Sequence, residues 1–124
     1  MRFFIVLFFL VNYNGFSQSN DCTKFKTGTF KYANPQQEHF SIVRRDSIQI
    51  ETDTKTGDTM TGKVEWLDKC KYKLTYIKVS NDAHSFIIGT SFNVDITAIK
   101  DNTYTFTAYD DTRKMDGEIV KIEQ

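Results

Sequence analysis

Arg44, Gln49, Glu51 and Glu65 are the residues whose types and spacing could do chemistry. Gln49 and Glu51 are two positions apart and share one face of an extended strand. Glu65 falls in the next alternating run, where it could sit across from them, and Arg44 enters through the preceding hairpin. Facing inward, the four would line a polar cavity able to hold a small ligand. Facing outward, they would be a solvated sheet surface whose charge pairs contribute roughly a few tenths of a kcal/mol. Glycoside hydrolysis needs two carboxylates flanking a cleft, and Glu51 with Glu65 is the available pair. His39 and His84 are far apart and lack H-x-H or H-E-x-x-H spacing, so no metal or other cofactor is expected. Nucleophile-elbow, phosphate-loop and dinucleotide motifs are also missing from the sequence. The expectation is therefore binding, without catalysis.

The elements that must position these residues are strands. Ile48 and Ile50 alternate with Gln49 and Glu51, Val64 and Trp66 with Lys63 and Glu65, and Tyr72, Leu74 and Tyr76 with lysine and threonine. Tyr104, Phe106 and Ala108 alternate with threonines, and Phe25, Thr27 and Thr29 with Lys26, Gly28 and Phe30. Period two with β-branched and aromatic residues reads as half-buried strand. Turn-forming Asn, Asp, Gly and Pro separate the runs. The pattern predicts an all-β, antiparallel up-and-down meander of about eight short strands, closed as a small barrel or left as an open sandwich. The strands are expected near 24–33, 38–45, 47–54, 60–67, 70–79, 90–100, 102–110 and 115–123. The apolar segment 83–89 fits a short helix capping a barrel mouth, a bulged strand or a loop. Trp66, Tyr72, Tyr76, Tyr104, Phe106 and Tyr109 are expected to fill the core. Lys69, Lys71 and Lys73 should line an exposed strand, where lysine opposes edge pairing.

The chain begins Met1-Arg2 and runs through nine apolar residues, Phe3 to Val11, before Phe16-Ser17-Gln18. As a helix, such a run rises about 14 Å, under half of a ~30 Å hydrocarbon core. It reads as an export signal over 1–18, followed by one β domain over 19–124, with no membrane span. Cys22 follows Asp21 and lies far from the apolar run, which disfavours lipidation. An even cysteine count in an exported chain suggests a Cys22–Cys70 disulfide. Sixteen basic and sixteen acidic residues balance. Such a chain has no field to gather nucleic acid, and a monomer is expected.

Cys22-Thr23-Lys24-Phe25-Lys26-Thr27-Gly28-Thr29-Phe30, the stretch Arg44 to Glu51, and Val64-Glu65-Trp66 through Tyr72 carry a resemblance. The chain resembles a group of small exported proteins of Bacteroidetes-type bacteria with no established activity, often catalogued as DNA topoisomerase IV. A topoisomerase subunit needs a catalytic tyrosine on a large DNA-gate scaffold, or an ATP-binding domain, and neither fits this length. The resemblance implies secretion and the same domain, and supplies no chemistry. The meander also resembles lipocalin-like barrels, but Gly28 is followed by Thr29-Phe30 where that family has Gly-x-Trp. A periplasmic or secreted module binding a small ligand or an envelope protein is the expectation. The alternatives are an envelope-polymer hydrolase and a purely structural envelope protein.

Overall fold

The alternating runs become eight antiparallel strands in residues 21–123, the part of the chain that the computed structural model describes. They are β1 (Gly28–Tyr32), β2 (Phe40–Arg45), β3 (Ile48–Asp53), β4 (Thr59–Asp68), β5 (Lys71–Val79), β6 (Ser91–Lys100), β7 (Thr103–Tyr109) and β8 (Lys114–Glu123). Each pairs with its sequence neighbour, and β1 pairs with β8 to close a barrel. The expected meander is thus a barrel, and the open sandwich is excluded. The export signal expected over 1–18 lies outside the described residues.

Short connections make this topology accessible. Asp46 and Asp101 open the β2–β3 and β6–β7 turns at φ 57° and 55°, a left-handed conformation that aspartate tolerates better than most residues. The β2–β3, β4–β5 and β6–β7 turns cluster at one end of the barrel. The longer connections, including 3-10 turns at Pro35–Gln37 and Asp82–Ile87, gather at the other, which we call the mouth.

Residues 23–25 depart from the expected first strand. Thr23–Phe25 is a 3-10 turn, and β1 starts only at Gly28, whose φ of 134° redirects the chain. This turn plugs the closed end, with Phe25 fully buried against Tyr104 at a ring separation of 4.8 Å. The Cys22–Cys70 disulfide ties the plug to the β4–β5 turn. In the chain-entropy account a loop of 48 residues is worth ~4 kcal/mol when cross-linked. With Cys22 in the disulfide, its sulfur is not available for lipidation.

Inside, Phe30, Ile42, Val64, Leu74, Val94, Phe106 and Ile119 interdigitate. Gly62 and Gly117 mark how closely: an added Cβ would lie 2.6 Å from the Leu74 side chain and 2.5 Å from the Phe106 ring, respectively. The central interior is packed with side chains. Trp66, Tyr72, Tyr76, Tyr104 and Phe106 belong to the core or pack on it, as expected. Tyr109 does not. It projects outside, where its hydroxyl donates to Asp95 Oδ1 at 3.2 Å, because Ala108 takes the inward position. The 83–89 segment resolves as the 3-10 turn Asp82–Ile87 at the mouth, capped by Asn81, whose side chain accepts from the Ala83 N–H.

Candidate functional site

β2 and β3 pair with Arg44 opposite Gln49 and Ile42 opposite Glu51. All four project into the barrel. Strand β3 therefore carries Gln49 and Glu51 inward and leaves Ile50 39% exposed. Glu65 is a correction to the expected set. Gly62 and Val64 take the inward positions of β4, so Glu65 lies on the outer face, opposite Lys73 of β5. A one-residue offset in a strand reverses the face. Glu51 and Glu65 consequently stand on opposite sides of the barrel wall and do not flank a common cleft.

Arg44, 1% exposed, is held entirely by neutral groups. Its Nη1 donates to the Phe25 carbonyl at 2.8 Å and its Nε to Gln49 Oε1 at 2.9 Å. Nη2 reaches the hydroxyls of Tyr104 at 3.1 Å and Tyr72 at 3.3 Å. The guanidinium also lies 4.6 Å from the Phe30 ring centroid and 5.1 Å from that of Tyr72. Burial opposes its charge, and the Tyr104 and Tyr72 phenols outweigh that opposition, so its pKa is raised. Nearby, buried Lys121 donates from Nζ to the Lys24 carbonyl at 2.6 Å. Lys24 in turn donates from Nζ to the Asp101 carbonyl. The two consecutive carbonyls of the plug thus satisfy two buried cations. This arrangement is a fixed structural seal.

Glu51 sits towards the mouth and is organised differently. Tyr32 donates its hydroxyl to Oε2 and Tyr76 donates to Oε1, each at 2.8 Å. Burial first, then the Glu51 charge, pushes both phenols far above their ordinary pKa. Both remain protonated donors. The ion pairs found among the described residues are Lys71–Asp95 and Arg113–Asp110, so no lysine or arginine nitrogen described lies within 4.0 Å of Glu51. Around it, Tyr32 packs edge-on against Phe40 at 6.4 Å, and Tyr76 lies 6.1 Å from Phe92. Tyr32, Met60, Ile87 and Phe92 stay partly exposed, whereas Phe25, Phe30 and Tyr104 at the closed end are fully buried.

Sequence reasoning missed Tyr32 as a partner of Glu51, and Phe40 and Phe92 as the rings packed on Tyr32 and Tyr76. Their signal was inward parity on β1, β2 and β6, which becomes readable only once the barrel's inner face is assigned. Lys71 and Lys73 are half-buried on the outer side of β5, with Lys71 3.7 Å from Asp95. His39 stacks on Phe40 at 4.3 Å, and His84 belongs to the Asp82–Ile87 turn. No group of three or more metal-ligating side chains occurs among the described residues. Against known proteins, no family model, no curated protein and no solved structure matches this chain. The fold and site define a small, disulfide-closed β-barrel with a sealed end and a buried carboxylate towards the other.

Proposed function

We propose that this protein is a non-catalytic binding module that takes a small ligand at the barrel mouth. The observation that carries the reading is Glu51: a buried carboxylate at the partly open end, with one phenol on each oxygen and acceptor capacity to spare. Rings and apolar side chains around a few placed polar groups are the usual make-up of a small-molecule site. The seal at Arg44 offers less to a ligand, because four of its N–H donors are already directed to protein groups. The paired-carboxylate hydrolase loses its support with Glu65 on the outer face. Export to the periplasm or beyond is part of the proposal. It is supported by the disulfide, which persists in oxidising compartments, and by the apolar N-terminus.

Screening a mixed-charge fragment and metabolite library by amide chemical-shift perturbation tests this. Binders should move the resonances of Tyr32, Glu51, Tyr76 and Phe92 and leave those of Arg44 and Tyr104 in place. A library with no binder at the mouth, or one whose hits converge elsewhere, would overturn the assignment.

A further inference from the structure

We infer that the mouth selects an organic ammonium ion, an inference that rests on the binding role proposed above. Both phenol hydrogens at the site already point at the Glu51 carboxylate. An anionic ligand would meet a negative charge with no free donor from Tyr32 or Tyr76. A neutral ligand would leave the carboxylate without a counter-charge in a partly desolvated place, which is costly. Arg44 does not fill that role, because its donors are directed to Phe25, Gln49, Tyr72 and Tyr104. Lys121 is likewise committed, to the plug.

A metal ion is a poor match too. Hard cations such as calcium take about six to eight oxygen ligands, and no cluster of three ligating side chains exists among the described residues. An ammonium group matches on each count. It brings N–H donors or a diffuse positive charge to the unused carboxylate lone pairs. Its carbon substituents can lie on aromatic faces, which attract cations. Phe40 stands nearly perpendicular to Tyr32, at 87°, and Phe92 is tilted 50° from Tyr76. Each phenol on Glu51 is thus backed by a second ring, Phe40 on Tyr32 and Phe92 on Tyr76, and Met60 is the cross-strand partner of Glu51.

Titrating the protein with choline and with its uncharged isostere, 3,3-dimethylbutan-1-ol, separates charge from shape. A parallel titration with n-butylammonium covers primary amines, and one with butyrate covers anions. Choline or n-butylammonium should shift the mouth resonances saturably, and the neutral isostere should bind about tenfold or more weakly. Glu51→Gln should weaken the cation by a similar factor and narrow the gap between cation and isostere. The wild-type comparison with the isostere stands even if that variant folds poorly. Equal binding of isostere and cation, or binding of butyrate in their place, would overturn the ammonium assignment while keeping the mouth as a binding site. Silence of the mouth towards every probe and towards the wider library would overturn both.

Discussion

Arg44 and Glu51 lie on adjacent strands inside the same barrel, yet the protein treats their charges in opposite ways. At the closed end, Arg44 is wrapped by a backbone carbonyl, an amide oxygen and two phenols, and the disulfide-bound plug lies over it. At the mouth, Glu51 has two phenol donors and partly exposed neighbours. A buried charge satisfied by many fixed dipoles is a structural element, because removing it orphans every partner. Glu51, by contrast, keeps acceptor capacity that its two phenols do not use. The contrast separates a charge fixed by many protein dipoles from the one at which the proposed ligand would bind.

The largest effect expected from this contrast is on stability. Arg44→Met should cost about 3–5 kcal/mol, since Phe25, Gln49 and the two tyrosines lose a common donor. Glu51→Gln, which keeps an acceptor for one phenol and presents its NH2 to the oxygen of the other, should cost only about 1 kcal/mol. Urea midpoints for the two variants check this, and similar losses for both would break the distinction between the two ends.

A smaller loss, about 2–4 kcal/mol, is expected from Cys22→Ser with Cys70→Ser. Amide exchange in that variant should accelerate first at the plug and in the β4–β5 turn, leaving the mouth protected as before. Faster exchange beginning at the mouth would show that the plug is held without its covalent tie. The smallest effect concerns the β7–β8 turn at the mouth end. The backbone N–H groups of Thr112 and Arg113 hold the Asp110 carboxylate at a pKa of about 2. Its contribution is complete above the ordinary carboxylate pKa and is lost as the pH falls through about 2. A carboxyl carbon titration of Asp110 at its ordinary value would remove this turn from the ordered part of the mouth.

Much of this architecture was legible in the sequence, for physical reasons. Period-two runs between turn residues specified the strands, and hairpin-length links made a meander the simplest connection. Which face of β3 points inward was not legible, because strict alternation defines two faces without saying which one is covered. Ile50 outside and Glu51 inside invert the ordinary preference, and the reason is long-range: Gln49 is opposite Arg44, which Phe25, Tyr72 and Tyr104 also claim. Similarly, the alternation from Phe25 to Thr29 reads as strand. Its first part instead folds back as the plug, through contacts with residues as distant as Cys70 and Lys121. By contrast, the outward position of Glu65 was readable from its apolar neighbours Val64 and Trp66, once these were given the interior.

The pairing of β1 with β8 has a consequence for how the molecule is made. Phe30 lies opposite Lys121 in that seam, so the cylinder closes between segments about ninety positions apart in the chain. Local hairpins can form as the polypeptide emerges, but the last seam must wait for residues 114–123. Until then β1 and β7 are bare edges, open to pairing with other chains. Non-local pairings of this kind make folding slow, in the millisecond-to-second range typical of such topologies. In the interval before its final strand arrives, this protein is therefore exposed to aggregation through those edges.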